Sequence, residues 1–317
     1  MSYYAPFPFE LQQVEYVKLY FYLENSNYFD LPDLGLLQLR RELRQGLKSF
    51  SDLGQDDYAR ELTQLLQPDL PDDPVLLRQI QQPSPAFVIS PDTSLCGLIA
   101  PKQRICLPVL FLGSGIKAID FFVSLLQHLG TRGLYHGCGR YVLEGVEAED
   151  GSGVRSMLWS KGKQTYSLNP PVCRLSWWLE RKPSFENSVQ FEIVTPLRIL
   201  RQGKPFFKAG FADIFPFLLR RVTSLLAAYA GVELSPYPAH YISMAKQVKV
   251  VQNSFHWKDW RTLNNEHGDQ NLGGLMGALK MQGDELSELL WLLQLGHLFN
   301  IGKGATYGAG QYRLIYS

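Results

Sequence analysis

One order of elements occurs twice in this chain, and that repetition limits the fold more than any single motif does. Residues 13–24 mix β-branched and aromatic side chains with polar ones in rough alternation, as a strand does. After a turn at Asn25-Ser26-Asn27, Leu36, Leu39, Leu43 and Leu47 form an apolar stripe at helical spacing, with Arg40, Arg41 and Arg44 beside it. Residues 104–112 read as a strand, 116–128 as a helix and 140–146 as a strand. The second half has the same plan: a strand at 189–200, bent or placed at an edge by Pro196, and a helix at 211–229. Strands at 246–255 and 275–281, a helix at 284–298 and a terminal strand at 312–316 complete it. Strand, helix, strands, helix, glycine loop, strand is the order of a ferredoxin-like unit.

The expected fold class is therefore α+β, with two tandem ferredoxin-like (RRM-like, βαββαβ) domains. Residues 1–150 form the first, with an irregular Pro- and Asp-rich insertion at about 51–103 that carries one short helix near 58–66. Residues 151–185 are a linker or hairpin, and 186–317 the second domain.

Each repeat has a glycine-rich loop before its last strand. The first is Gly133-Leu-Tyr-His-Gly-Cys-Gly139; the second holds Gly302, Lys303, Gly304, Gly308 and Gly310. Dense glycine lets a backbone take positive φ and approach a ligand closely, and a lysine among free N–H groups suits an anion. A nucleotide P-loop is not the answer, since Gly-x4-Gly-Lys-Ser/Thr is absent and a strand follows instead of a helix. Two readings stay open for the terminal loop: a hold on a phosphate backbone, or a structural turn.

The 317 residues carry a formal net charge of +1 and 45% apolar residues, so binding to nucleic acid needs a local basic face, not a basic protein. Cys96, Cys106, Cys138 and Cys173 show no CxxC pairing, which argues against a zinc site or a disulfide framework. No apolar run nears the roughly 18 residues of a membrane span, and the first residues lack the pattern of a signal peptide. A cytoplasmic protein with no membrane partner and no cofactor is expected.

Several segments, in order, resemble the RAMP-superfamily CRISPR repeat-processing endoribonucleases. These are Pro83-Ser-Pro-Ala-Phe-Val-Ile89, Leu110-Phe-Leu-Gly-Ser-Gly115 through Leu129-Gly-Thr-Arg-Gly-Leu134, Thr195-Pro-Leu-Arg198 and Leu218-Leu-Arg-Arg-Val-Thr-Ser-Leu225. Trp257-Lys-Asp-Trp-Arg261, Leu272-Gly-Gly-Leu-Met-Gly277 and the terminal Asn300-Ile-Gly-Lys-Gly-Ala-Thr-Tyr-Gly-Ala-Gly-Gln-Tyr312 follow. The resemblance covers residues 80–317 well and the first 50 loosely. It implies metal-independent cleavage of CRISPR repeat RNA, in which the 2′-OH attacks its own phosphate to leave a 2′,3′-cyclic phosphate and a 5′-OH. It implies CRISPR RNA as partner, and other subunits of a CRISPR complex as further partners. Such cleavage needs a proton acceptor, a proton donor and cations facing the phosphorane. The alternative is an inactive relative that only grips the repeat-derived RNA.

The candidate catalytic residues are Tyr28, Arg40, Arg44, His136 and His256. The family's usual histidine near the first helix is missing, since no histidine precedes His128, and Asn300 stands where relatives carry one before the terminal Gly-Lys. His136 lies in the first glycine loop and His256 lies among tryptophans and cations. The candidate RNA-binding residues are Arg220, Arg221, Lys246, Lys249, Lys258 and Arg261, with Gly302, Lys303, Gly304, Gly308 and Gly310. For the 246–261 stretch the competing reading is a hairpin whose tryptophans are core and whose lysines are solvated.

Overall fold

A computed structural model describes residues 7–51, 56–70, 83–162, 168–181, 188–234, 238–259 and 273–316. The chain divides into two compact units. The first holds Val14–Arg174 and the three residues Ala228–Ala230; the second holds Leu175–Ala227 and Gly231–Ser317 with the N-terminal residues up to Gln13.

In the first unit the strands are β1 (Glu15–Asn25), β2 (Phe29–Leu31), β3 (Phe87–Ile89), β4 (Gly97–Ile99), β5 (Arg104–Leu112), β6 (Tyr141–Glu149), β7 (Arg155–Ser160) and β8 (Cys173–Arg174). Its helices are α1 (Leu39–Ser51), α2 (Asp56–Leu66) and α3 (Ile119–Arg132). The main sheet runs β3-β5-β1-β6-β7, every pair antiparallel, with β8 added beside β1. Taking β1, β3, β5 and β6 as the four strands of a βαββαβ unit, their spatial order is 2-3-1-4, the ferredoxin-like arrangement. The sequence left the second strand unassigned, because a three-residue Phe-Val-Ile edge strand is too short to show alternation.

Alternation along β1 separates two faces. Val17, Leu19, Phe21 and Leu23 are buried, and Phe21 meets Phe122 of α3 at 5.7 Å between ring centroids. Phe87, Phe111 and Phe122 extend this aromatic core, while Leu39, Leu43 and Leu47 supply the apolar stripe of α1. The other face carries Lys18, Tyr20 and Tyr22. Lys18 Nζ donates to Glu149 at 2.9 Å, Tyr20 also donates to Glu149, and the Arg155 guanidinium lies 3.6 Å over the Tyr20 ring. Tyr22 Oη donates to Glu147 at 2.6 Å; burial first, then that bond, pushes its phenol up to about 12.

A phenol raised in the folded state stabilises the fold below its unfolded value of about 10, and that contribution is lost as pH rises towards the folded value. Stability between pH 10 and about 12 is therefore expected to fall more steeply for the native chain than for Tyr22→Phe. Urea melts across that range measure the two slopes, and equal slopes would exclude the coupling.

In the second unit the strands are β9 (Val189–Leu197), β10 (Leu200–Arg201), β11 (Lys204–Pro205), β12 (Lys249–Asn253), β13 (His256–Lys258), β14 (Gly274–Gln282) and β15 (Tyr312–Tyr316). The helices are α4 (Leu175–Glu180), α5 (Phe211–Ala230), α6 (Pro238–Gln247) and α7 (Asp284–Phe299). The sheet order β12-β14-β9-β15 is again 2-3-1-4. β9 is central, so Pro196 does not mark an edge. It falls after Ile193, where pairing with β15 has ended and the register with β14 shifts, so no ladder bond is lost. The strand expected at 246–255 is replaced in its first part by the end of α6, which places Lys246 on a helix.

Candidate functional site

The terminal glycine loop joins α7 to β15, and much of its polarity is directed inwards. The N–H of Lys303 donates to Arg198 O at 2.8 Å and that of Gly310 to Pro196 O at 3.0 Å. The N–H groups of Ala305, Tyr307, Gly308 and Ala309 all donate to carbonyls within the loop. Gly302, Gly304, Gly308 and Gly310 have φ of 86°, 85°, 96° and 66°, which an L side chain rarely adopts. The Thr195 hydroxyl donates to Gly308 O at 2.7 Å and accepts the Gln311 N–H at 2.8 Å, tying the loop to β9. This turn is held by its own backbone, and what it presents outward is the exposed Lys303 side chain.

Arg221 and Asn300 brace the same loop. Arg221 donates from Nε and a terminal nitrogen to Phe299 O at 3.3 Å and to the Thr306 hydroxyl at 3.2 Å. Its neighbour Arg220 is exposed, with its guanidinium 5.2 Å from the Phe217 ring centroid. Adjacent helix positions point about 100° apart, so one arginine turns to the loop and the other to solvent. Asn300 is buried with φ 57°, and its amide donates to Ala305 O at 3.0 Å.

The first glycine loop meets α1. Its ends pair through Leu134 N–H to Gly139 O at 2.7 Å and Gly139 N–H to Leu134 O at 2.9 Å. Tyr135 and His136 both have positive φ, 46° and 59°, a conformation that costs energy away from glycine. The His136 N–H lies 3.3 Å from Oε1 of Glu42, a carboxylate buried on α1. Asn27 clamps the other side, donating to Cys138 O at 2.6 Å and accepting the Arg140 N–H at 2.9 Å. Tyr28, next to Asn27 in sequence, is 66% exposed.

Thus His136 and Glu42 of α1 meet at this loop, while Arg40 is exposed about 200° round the helix from Glu42, and no histidine lies in α1 itself. Arg44 turns towards the end of α2, donating to Gln67 Oε1 at 3.1 Å. Sequence reasoning missed Glu42 and Asn27. The signal for Glu42 was its place in the stripe between Leu39 and Leu43, where a carboxylate needs a buried partner.

His256 belongs to the second unit, on β13, exposed, with Nδ1 3.2 Å from Ser254 O. Alternation puts His256 and Lys258 on one side of β13 and Trp257 on the other. Lys246 ends α6 and Lys249 begins β12, both exposed. Arg261 lies outside the described residues. Among the described residues no three His, Cys, Asp or Glu side chains gather as a metal site would require, and no helix is long and apolar enough to cross a membrane.

Two ferredoxin-like units, the second closed by a braced Gly-Lys loop that runs into the last strand, are the architecture of the described residues. Residues 191–312 match the family model described as CRISPR-associated endoribonuclease Cas6, and residues 60–171 match a second model described as an N-terminal domain. Over residues 191–312 the chain therefore resembles the Cas6 family.

Solved structures share its fold. A partial Cas6-RT-Cas1–Cas2 complex superposes with a TM-score of 0.58 at 14% identity, over 96% of this chain and 46% of that one. The chain thus spans under half of that relative. A Cas6 product complex gives 0.52 at 16% identity over 95% and 99%, and Thermus thermophilus Cas6 gives 0.50 at 13% identity over 95% and 99%. The sequence has no match among curated proteins.

Proposed function

We propose that this protein cuts CRISPR precursor RNA within the repeat. The 2′-OH upstream of the cut attacks the adjacent phosphorus, the P–O5′ bond breaks, and the products are a 2′,3′-cyclic phosphate and a 5′-OH. A proton leaves the 2′-OH and another reaches the departing 5′-oxygen, so the chemistry balances without a cofactor. The match of residues 191–312 to the Cas6 endoribonuclease model carries this reading. Its support in the first unit is the meeting of the His136 loop with Glu42 of α1. Tyr28 and His136 are the proton-transfer pair, and Arg40 offsets the charge of the phosphorane, while Arg44, which donates to Gln67, would have to leave that partner to join it. His256 is the remaining candidate for proton transfer. An arginine cannot share that work, because it stays protonated.

RNA backbone is held by Lys303 at the terminal loop, with Arg220, Lys246, Lys249, Lys258 and Arg261, and the hairpin product stays bound. Arg221 and the loop glycines act beneath Lys303 by fixing its position. Further partners are other proteins of a CRISPR complex, an idea prompted by the Cas6-RT-Cas1–Cas2 assemblies. The compartment is the cytoplasm.

The deciding experiment incubates the protein with its own repeat RNA in EDTA and identifies the ends. A cyclic-phosphate product is expected. Tight binding without cleavage would overturn the nuclease reading and leave the second one, a non-catalytic subunit that grips the repeat. Asn300 favours that second reading, because an amide held to Ala305 O cannot carry a proton where the resemblance implies a histidine. Lys303→Ala is expected to weaken repeat binding and to lower the slope of log K against log salt by about 0.7, one phosphate contact on a single strand. Unchanged affinity would remove the loop from the RNA site.

A further inference from the structure

The β10–β11 hairpin has no counterpart in the sequence reading. It turns through Gln202 and Gly203, whose φ values of 51° and 78° make the tight two-residue turn that suits strand twist. Arg201 and Lys204 flank that turn and Lys208 follows it, all exposed and none in an ion pair among the described residues. The next acid along the chain, Asp213, accepts the Gly210 N–H at the start of α5.

Next to these cations is an aromatic pair. The Phe207 ring is 57% exposed, and its centroid lies 4.8 Å from that of Trp257 on β13. Trp257 lies so close over Gly273 that a Cβ there would come within 2.6 Å of the indole. The segment after the hairpin is fixed to the sheet, as Asn253 Nδ2 donates to Ala209 O at 3.1 Å. Phe206 points elsewhere, meeting Phe217 at 6.2 Å, and Phe217 carries the exposed Arg220. An exposed ring set against a second ring, framed by exposed cations, is what an unstacked base and its phosphates require. A duplex has no free base face to offer, so the ligand is single-stranded.

We propose that Phe207 and Trp257, with Arg201, Lys204 and Lys208, form a stacking platform for a single-stranded segment of the bound RNA. The proposal rests on the RNA-binding reading above and adds a site and a strand state to it. Fluorescence anisotropy with an unstructured 12-nucleotide RNA, and with the same backbone carrying abasic positions, tests it without any cleavage. Phe207→Ala is expected to weaken binding of the intact strand by about 10-fold or more, while the abasic strand binds both proteins equally. Changing Arg201, Lys204 and Lys208 together to Ala lowers the salt slope by about 2, from three phosphates at about 0.7 each.

Equal affinity of native protein and Phe207→Ala for the intact strand overturns the platform. So does a native protein that prefers a blunt duplex, or one that binds no RNA. If the repeat is cleaved in EDTA while Phe207 has no effect, the platform alone is wrong. If Phe207 matters while no repeat is cut, the nuclease reading alone is wrong. Circular dichroism of Phe207→Ala confirms that the exposed substitution leaves the fold in place.

Discussion

Gly310→Ala is expected to destabilise the second unit by about 3 kcal/mol or more, the scale of a mutation that breaks a required backbone conformation. Gly310 has φ 66°, and a Cβ there would lie 1.8 Å from the Ile301 carbonyl oxygen. That oxygen belongs to backbone and cannot swing aside as a side-chain tip can. Moving it also disturbs the bonds from Gly310 N–H to Pro196 O and from Ile301 N–H to Gly310 O, so the last strand loses its anchor to β9. Gly203→Ala is the control. Its φ is 78°, yet nothing lies within 4 Å of the added carbon, so only the cost of a left-handed alanine, about 1 kcal/mol, applies. Thermal unfolding followed by circular dichroism compares them. Similar melting temperatures would mean that the loop is not the rigid brace described above.

Loss of activity is the second large effect. Tyr28→Phe and His136→Ala are each expected to slow repeat cleavage by about 100- to 10,000-fold, the usual contribution of a positioned acid or base. Tyr28→Phe removes one hydroxyl from a ring that is 66% exposed, so the fold is not at risk. His136 is exposed in a loop whose closure comes from the Leu134–Gly139 backbone pair and the Asn27 clamp, neither of which uses the imidazole. Single-turnover cleavage of bound repeat RNA separates rate from affinity. Arg40→Ala slows the rate with little change in affinity if it faces the phosphorane, and His256→Ala is the comparison from the second unit. If all four variants cut at the native rate, the active site lies elsewhere.

Much of the fold was legible because its parts signal locally. The strand at β1 and the helices α1, α3, α5 and α7 follow from periodicity, and they match the expected segments within a few residues at each end. Repetition then supplied the ferredoxin-like order. What failed to show were β3 and the β10–β11 hairpin, whose pieces are too short to carry a period, and α6, whose β-branched neighbours suggested a strand. The site was legible as a set of residue types and much less so as an arrangement. His136 could be singled out from its glycine loop, but not its meeting with α1.

The amino-acid sequence by itself determined the repeated unit and its class, because hydrophobic period and turn residues act over a few positions and need no distant partner. Tertiary structure alone decided what the glycine loops do. Residues about 100 positions apart met there: Thr195 reached Gly308 and Gln311, Arg221 reached Phe299 and Thr306, and Glu42 reached His136. Those contacts turn the terminal N–H groups inward and leave Lys303 outward. A hydrogen bond between distant segments depends on the geometry of the folded chain, and no local pattern of residues encodes it.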